Sequence, residues 1–148
     1  MDYYSAFEIS ASGMSLERVR LDILAQNLAN ANTTRTEDGG VYQPLRVISQ
    51  AKNTTSFHTH MSQLVQNGRY PGGVEIADII AQKVEPRLIF EPEHPHANND
   101  GFVSYPNINP VSEMVTLIEA VRSYEANVRA LNAAKSMALS ALEIGKQQ

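Results

Sequence analysis

The chain has 148 residues, of which 43% are hydrophobic and 19% are charged, and its formal net charge at pH 7 is −4. This length suits one domain with a proper core, and the composition is typical of a globular protein. Because the balance is acidic and no long run of like charges occurs, nucleic acid and anionic membrane surfaces are disfavoured as partners. The chain contains no cysteine, which excludes disulfides, thiolate metal sites and thiol catalysis.

The beginning of the sequence shows no recognisable targeting signal. Arg18 is the first basic residue and no long apolar run precedes it, so we expect no Sec-type signal peptide. No segment approaches the ~18 apolar residues of a membrane-spanning helix. The sequence therefore predicts a protein that stays in the cytosol or leaves it by another route.

Residues 5–31 are predicted to form a helix. The segment contains no proline and only one glycine, and its apolar residues recur at helical spacing. Two positions of a seven-residue repeat hold six apolar residues out of eight. These positions are Phe7, Met14, Leu21 and Leu28, and Ser10, Glu17, Leu24 and Ala31. A second stripe holds Ile9, Leu16, Val19 and Ile23, so this helix is apolar on more than one side.

The helix ends in an asparagine-rich stretch with the sequence AQNLANANTTRT. A catalytic role is disfavoured because no nucleophile or base stands beside it. Asn32, Thr33 and Thr34 are predicted to stop the helix by bonding to its terminal backbone groups. Asn27 and Asn30 continue the second stripe at helical spacing, and buried amides in packed helices fix register. We therefore predict that Asn27 and Asn30 are the polar lock of a subunit interface.

The middle of the chain, residues 37–107, is predicted to be rich in short β-strands. All seven prolines lie between Pro44 and Pro110, where short β-prone runs alternate with turn signals. The runs are VYQPLRVIS (41–49), GVEIADII (73–80), RLIFEP (87–92) and GFVSYP (101–106), and the turns are NGRYPGG (67–73) and NNDG (98–101). We expect a few antiparallel strands joined by extended loops.

A second long helix is predicted to begin near Pro110 and to end near Gly145. Proline suits the first turn of a helix, where a missing N–H costs nothing, and glycine suits a helix end. About 30 residues would make a helix ~45 Å long, more than a compact domain of this size normally contains. One stripe holds Met114, Leu117, Val121, Tyr124, Val128, Leu131, Lys135, Ala138 and Leu142, with Lys135 as its one charged interruption. A second stripe holds Ala130, Ala134, Met137, Ala141 and Ile144.

The predicted fold class is α+β, with long N- and C-terminal helices that pair as a coiled-coil core domain and a small β-rich middle insert. Residues 1–36 and 108–148 would form the helical core, or assembly, domain, and residues 37–107 a small outer domain. A helix with two apolar stripes needs more than one partner, and the insert is too small to cover both helices. We therefore predict oligomerisation through the terminal helices. The predicted interface comprises Leu16, Val19, Leu21, Ile23, Leu24, Asn27, Leu28, Asn30, Leu117, Val121, Tyr124, Val128, Leu131, Met137, Leu142 and Ile144.

Two histidine pairs, HTH at 58–60 and HPH at 94–96, invite comparison with a zinc site. No carboxylate or cysteine stands at a fixed spacing from them, so loop histidines are the favoured interpretation. HANNDG at 96–101 partly resembles a calcium loop, but His96 and Asn107 stand where acidic ligands belong, which favours a turn. Nucleophile-elbow, phosphate-loop, dinucleotide and zinc-protease motifs are absent from the sequence. We predict no enzyme activity, no cofactor and no metal site.

Two segments carry a resemblance to a known family. LERVRLDILAQNLANANTTRTEDGGVYQ at 16–43 and PHANNDGFVSYPNINPVSEMVTLIEAVRSYEANVRALNAAKSMALSALEIGK at 95–146 closely resemble the flagellar basal-body rod and hook axial proteins. The asparagine-rich stretch matches the signature shared by that family. The block from 105 to 145 is more specific to proximal-rod subunits. Together the two matches cover about half of the chain, at both ends.

The resemblance implies a structural subunit of the bacterial flagellum that polymerises into a tubular drive shaft and transmits torque. Its terminal helices would line the inner tube. Its partners would be further copies, other rod proteins, the basal-body base and the export apparatus, with no nucleic acid and no small-molecule substrate. It would lie in the rod within the periplasm, exported unfolded through the flagellum-specific type III apparatus without a cleaved Sec signal peptide.

Two alternatives remain open from the residues alone. A cytosolic helical adaptor or chaperone-like protein would also display amphipathic helices, but it would form a defined small oligomer with its helices folded at high dilution. An enzyme that uses the histidine pairs is the third possibility, and metal analysis of the purified protein distinguishes it.

Overall fold

The computed structural model describes residues 3–37, 39–52 and 72–146. Its elements run in the order α1 (Tyr3–Ala29), β1 (Leu45–Ala51), β2 (Val74–Ala81), β3 (Arg87–Phe90), β4 (Phe102–Tyr105) and α2 (Pro110–Lys146). Two terminal helices with small sheets between them confirm the α+β class. Within the described residues, no helix combines the length and apolar character needed to cross a membrane.

Helix α2 begins as the sequence predicts and is longer than expected. The side-chain oxygen of Asn109 accepts hydrogen bonds from the backbone N–H groups of Val111 at 3.0 Å and Ser112 at 3.4 Å. Asn109 is therefore the N-cap, and Pro110 occupies the first helical position, where it needs no N–H partner. The helix has 37 residues, which corresponds to ~55 Å.

Helix α1 ends through local hydrogen bonds made by its asparagine-rich stretch. The side-chain amide of Asn30 donates to the Gln26 carbonyl at 2.9 Å, and the Thr33 hydroxyl donates to the Asn30 side-chain oxygen at 3.1 Å. The Thr33 N–H also bonds to the Asn30 carbonyl at 3.0 Å. Thr33 takes part in stopping the helix, as predicted, and its partner is Asn30. Asn32 is exposed, and the Thr34 hydroxyl contacts the His96 ring and not the end of the helix.

Two small two-stranded sheets follow, β1 with β2 and β3 with β4. Backbone bonds from Lys52 to Gly73 and from Gln82 to Pro44 flank the first pair and make it antiparallel. In the second, antiparallel pair, Arg87 lies opposite Tyr105, and the register continues to Phe90 opposite Phe102. All four strands overlap the predicted runs, although most of the predicted 67–73 turn lies outside the described residues.

The described residues fall into two compact units. Unit 1 contains those within Met1–Arg18, Ser49–Ala77 and Arg122–Gln148, and unit 2 contains those within Val19–Ile48 and Asp78–Val121. Each helix contributes residues to both units, so this division differs from the predicted one. The split between residues 37–107 and the terminal segments stays a prediction.

Unit 1 contains close contacts at small residues. An added side-chain carbon at Gly13 would lie 2.9 Å from the amide nitrogen of Asn127, so α1 and α2 approach closely there. A side chain at Gly73 would overlap Ser12. The Ser12 hydroxyl accepts a hydrogen bond from the Val74 N–H at 3.1 Å, which anchors the start of β2 to α1. Glycine is therefore required at position 73, whereas a side chain at position 13 would displace the Asn127 amide.

Candidate subunit interface

The buried face of α1 follows a seven-residue repeat. Ser10, Glu17, Leu24 and Ala31, which form one of the two predicted repeat positions, are all buried. The other position, Phe7, Met14, Leu21 and Leu28, is half-buried throughout. The predicted period of α1 is therefore confirmed, and its best-covered positions include two polar side chains.

The buried face of α2 has the same period, but its residues are small or polar. Glu113, Ala120 and Ala134 are buried, and Asn127, at the intervening position, is half-buried. Small side chains let a helix approach its neighbour closely but bury little apolar area each. The larger apolar side chains of α2 therefore lie outside this buried inner face.

Those larger side chains are exposed along α2. Leu142 is 63% exposed and Ile144 is 72% exposed. The other exposed apolar residues of the helix include Val111, Met114, Val115, Ile118, Val121, Met137 and Leu139. An isolated exposed leucine needs no explanation, whereas a series along one long helix marks an interaction surface.

The predicted interface residues divide into three classes of exposure. In α1 and the turn that follows it, Leu16, Leu24 and Asn27 are buried, and Val19, Leu21, Ile23, Leu28 and Asn30 are half-buried. In α2, Leu117, Val128 and Leu131 are half-buried, and Val121, Tyr124, Met137, Leu142 and Ile144 are exposed. The exposed set on α2 has no cover within the described residues, and its place in a subunit interface stays a prediction.

Asn27 is the centre of a buried polar cluster in unit 2, and its side chain is 0% exposed. Its amide nitrogen donates to the Leu45 carbonyl at 2.9 Å and to the Glu113 carboxylate at 3.4 Å. Its side-chain oxygen accepts from the Leu45 N–H and from the Tyr42 hydroxyl, both at 2.9 Å. The amide thus pairs with both backbone groups of one residue at the start of β1.

These four bonds explain why position 27 carries asparagine. The site requires a short side chain that donates two hydrogen bonds and accepts two. Asparagine supplies this combination, whereas aspartate and leucine do not. Each bond contributes roughly 1 kcal/mol, and leaving one partner unpaired costs more. These bonds use both donors and both acceptor positions of the buried amide, so the structure gives Asn27 an internal role, and a role in a subunit interface stays a prediction.

Two charged or ionisable groups complete the Asn27 cluster. Arg46 donates to the other oxygen of the buried Glu113 carboxylate at 2.8 Å, which balances its charge. Burial, and secondarily the charge of Glu113, raise the pKa of Tyr42 above its ordinary value. The Tyr42 hydroxyl therefore stays protonated and serves as a donor to Asn27. The cluster joins α1, the segment leading into β1 and the first turn of α2.

The sequence reasoning missed Tyr42, Arg46 and Glu113. Glu113 lies seven residues before Ala120 on the inner face of α2, and this spacing is visible in the sequence. A carboxylate on a buried helix face needs a cationic or amide partner, which could have directed attention to Asn27. No local signal identifies Tyr42 or Arg46 as members of the cluster.

The histidines at 94–96 belong to a turn. The His96 N–H donates to the His94 ring at 3.1 Å, and the His96 ring lies 2.8 Å from the Thr34 hydroxyl. In the neighbouring NNDG segment the Asn98 side-chain oxygen accepts the N–H of Asp100 at 3.0 Å, as in an Asx-turn. The predicted turn is confirmed. The pair at 58–60 lies outside the described residues, among which no group of three or more metal-ligating side chains is found.

Comparisons with known proteins match both helices and the segment between them. Residues 7–35 match the family described as Flagella basal body rod protein, and residues 99–144 match the family described as Flagellar basal body rod FlgEFG protein C-terminal. The chain is 39% identical over 150 residues to the flagellar basal-body rod protein FlgC of Bacillus subtilis strain 168, covering 99% of this chain and 100% of that protein.

Two further relatives carry the same name. The FlgC protein of Escherichia coli O6:H1 is 36% identical over 146 residues, covering 99% of this chain and 100% of its own length. The FlgC protein of Borreliella burgdorferi is 35% identical over 150 residues, covering 97% and 98% respectively. The similarity therefore extends over nearly the entire chain.

Proposed function

We propose a mechanism of assembly for this chain, which belongs to the FlgC family of flagellar basal-body rod proteins: it polymerises through the outer face of α2. This face holds the exposed apolar residues that helical spacing places away from Ala120 and Ala134, namely Val111, Met114, Val115, Ile118, Val121, Leu139 and Leu142. The chain is a structural subunit of the rod and is not an enzyme.

The observation that carries the proposal is the division of α2 into two faces. Its inner face uses small or polar residues such as Ala120 and Ala134, while large side chains such as Leu142 are exposed. Covering a half-exposed aliphatic side chain contributes about 1 kcal/mol. Several such contacts per subunit, repeated along a rod, would stabilise an assembly that two chains alone would not.

Pairing of the terminal helices as a coiled coil is supported by their common period. Ser10, Glu17 and Leu24 in α1 and Glu113 and Ala120 in α2 are buried at seven-residue spacing. A seven-residue repeat of buried positions is what supercoiled helices require. The exposed residues of α2 would then face neighbouring subunits of the tube.

The contacts between subunits would be heterologous, with one surface of each chain meeting a different surface of the next. Such contacts continue as an open helix instead of closing into a ring. The partners are further copies of the chain and other rod proteins, together with the basal-body base and the export apparatus. A tube built in this way would transmit torque because every helix is held by neighbours on several sides.

The family places this subunit in the flagellar basal-body rod. We propose that the rod containing it lies in the periplasm and that the chain arrives through the flagellum-specific type III apparatus, without a cleaved Sec signal peptide. Before incorporation the outer face of α2 has no cover, so the terminal helices would be partly disordered in the free chain and would order fully only on assembly. Full amide-exchange protection of both helices in the purified monomer would contradict this coupling.

Fractionation of flagellated cells tests the assembly proposal directly. An epitope-tagged chain should co-purify with hook–basal bodies and should remain bound after detergent extraction removes the membrane. Recovery only from the cytosol, as a defined small oligomer with folded helices, would instead support a helical adaptor or chaperone-like protein.

A further inference from the structure

Helices α1 and α2 meet through a polar contact in unit 2. The Asn27 amide donates to the Glu113 carboxylate at 3.4 Å, and both residues are buried. Leu24, three residues earlier on α1, and Thr116, three residues later on α2, line the same surface hollow. A step back along α1 therefore corresponds to a step forward along α2, so the two helices run antiparallel in this unit.

Unit 1, taken by itself, shows the same register. A side-chain carbon added at Gly13 would lie 3.0 Å from the side-chain carbonyl carbon of Asn127, so these two positions face each other. Gly13 lies fourteen residues before Asn27, and Asn127 lies fourteen residues after Glu113. Fourteen residues are two seven-residue repeats, the period of the buried positions in both helices. One antiparallel register therefore accounts for the contact in each unit.

The small residues on the inner face of α2 do not select this register. Ala120 and Ala134 are buried at positions that alternate with Glu113 and Asn127 in the seven-residue repeat. If α2 slid by seven residues in either direction, an alanine would lie opposite Gly13. Alanine buries little apolar area, so these contacts barely distinguish a slipped pairing from the observed one.

The polar contact in unit 2 does distinguish the registers. A slip of seven residues would place Asn27 opposite Ala120 in one direction and beyond the start of α2 in the other. Either slip would carry the buried Glu113 carboxylate away from Asn27 and from Arg46, which now lies 2.8 Å from it. Buried polar groups that lose their partners are destabilised, and for this reason a polar residue inside a helix pair fixes its register.

We propose that Asn27 and Glu113 are positioning residues that select the antiparallel register of α1 and α2. This inference rests on the proposed function, because the register sets where the outer face of α2 is presented to neighbouring subunits. A slip of seven residues would move that face by ~10 Å along the helix axis. Contacts that must repeat from subunit to subunit would not tolerate such a displacement.

Disulfide equilibria measure the register directly, because the chain has no cysteine of its own. Gly13→Cys with Asn127→Cys reports the observed register, since these positions are in contact. Gly13→Cys with Ala120→Cys, or with Ala134→Cys, reports a slip of seven residues in either direction. These two slip reporters also carry Asn127→Ala, which relieves crowding at position 13. Each purified full-length chain is equilibrated in glutathione buffer, and the internally linked monomer is measured.

With Asn27 and Glu113 in place, the observed-register pair should form at least about tenfold more readily than either slip pair, the factor that one lost buried hydrogen bond corresponds to. Asn27→Leu with Glu113→Leu should reduce this preference to about twofold or less, the range expected from loop length alone. The matched control is Gln26→Leu with Glu119→Leu, at exposed positions of the same helices, and it should keep the preference.

Several results of this measurement would overturn the inference. If the leucine pair at 27 and 113 only destabilised the fold, all three disulfides would form less readily and the tenfold preference would persist. Loss of the preference together with loss of the helical circular dichroism signal would likewise show a role in stability alone. Equal formation of the three disulfides while Asn27 and Glu113 are present, or loss of the preference in the control, would also contradict it.

Incorporation into hook–basal bodies gives a second measurement. Asn27→Leu with Glu113→Leu should fail to enter rods, and adding Gly13→Cys with Asn127→Cys should restore entry once the disulfide forms in an oxidising compartment. Normal entry of the leucine pair, or no rescue by the disulfide, would overturn the inference while leaving the outer-face proposal intact. Absence of the wild-type chain from rods would contradict the proposed function itself.

Discussion

Asn27→Asp is the sharpest test of the buried polar cluster, because it preserves the shape of the side chain and changes only its hydrogen-bonding character. The substitution replaces the amide nitrogen by an oxygen, so the Leu45 carbonyl at 2.9 Å and the Glu113 carboxylate at 3.4 Å lose their donor. The new carboxylate would also lie next to Glu113 in a site that is 0% exposed. Both changes destabilise unit 2.

The expected cost can be worked from these contacts. A buried acceptor left without a donor costs roughly 1–3 kcal/mol. A buried charge without its own partner costs roughly 3–5 kcal/mol, and Arg46, which lies on the far oxygen of Glu113, offsets only part of it. We expect a total near 4 kcal/mol, or a fall in Tm of about 10 °C for a chain of this size.

Thermal unfolding at neutral pH, followed by circular dichroism, measures this cost. Asn30→Asp is the matched control, because Asn30 lies in the same stretch but donates only one local bond, to Gln26 at 2.9 Å. Its loss should cost about 1 kcal/mol or less. If Asn27→Asp unfolds within about 0.5 kcal/mol of the wild type, or no earlier than Asn30→Asp, the cluster does not hold unit 2 together.

Three further predictions concern the outer face, pH and helix contact. Leu142→Asp should leave monomer stability within about 0.5 kcal/mol but abolish incorporation into hook–basal bodies, whereas Ser140→Asp, also exposed on α2, should assemble; normal assembly of both would remove the outer-face proposal. The raised pKa of Tyr42 favours its protonated form in the folded chain, so the phenol ionises first in the unfolded chain and the free energy of unfolding should fall as pH rises above 10.0. Urea titrations across that pH range measure this fall, and Tyr42→Phe should lack the part of it that Tyr42 causes. Gly13→Ala should lower the urea midpoint, although alanine favours helices, because its side chain would meet the Asn127 amide at 2.9 Å. Adding Asn127→Ala to this variant should restore the midpoint. An unchanged midpoint in Gly13→Ala alone would show that the contact is not tight.

Local patterns predicted the elements well. The seven-residue repeat of α1, the start of α2 at Pro110 and the turn around Asn98 all depend on residues close together in the sequence. Helical period, N-capping and Asx-turns act over a few residues, so a single sequence contains their signals. The four strands were located for the same reason, although their ends shifted by a few residues.

The pairing between distant segments could not be predicted in the same way. Asn27 bonds to Leu45 and Glu113, which are 18 and 86 residues away in the chain. Helical spacing placed Asn27 on a stripe, but the same spacing suits an amide that faces another subunit and one that faces its own chain. Only the path of residues 42–46 distinguishes these two arrangements of the amide, and that path depends on how the complete unit packs.

The two faces of α2 imply that stability and assembly are thermodynamically linked. Among the described residues, seven apolar side chains are buried, three of them alanines, whereas eighteen large apolar side chains are exposed. Single domains are typically only marginally stable. A chain that covers so little apolar area gains further stability when more of that area is buried. A neighbouring subunit that covered Leu142 would bind only the ordered helix, so under the proposal it would shift the helix toward order by mass action. The exposed side chains of the free chain would then stabilise it inside a rod.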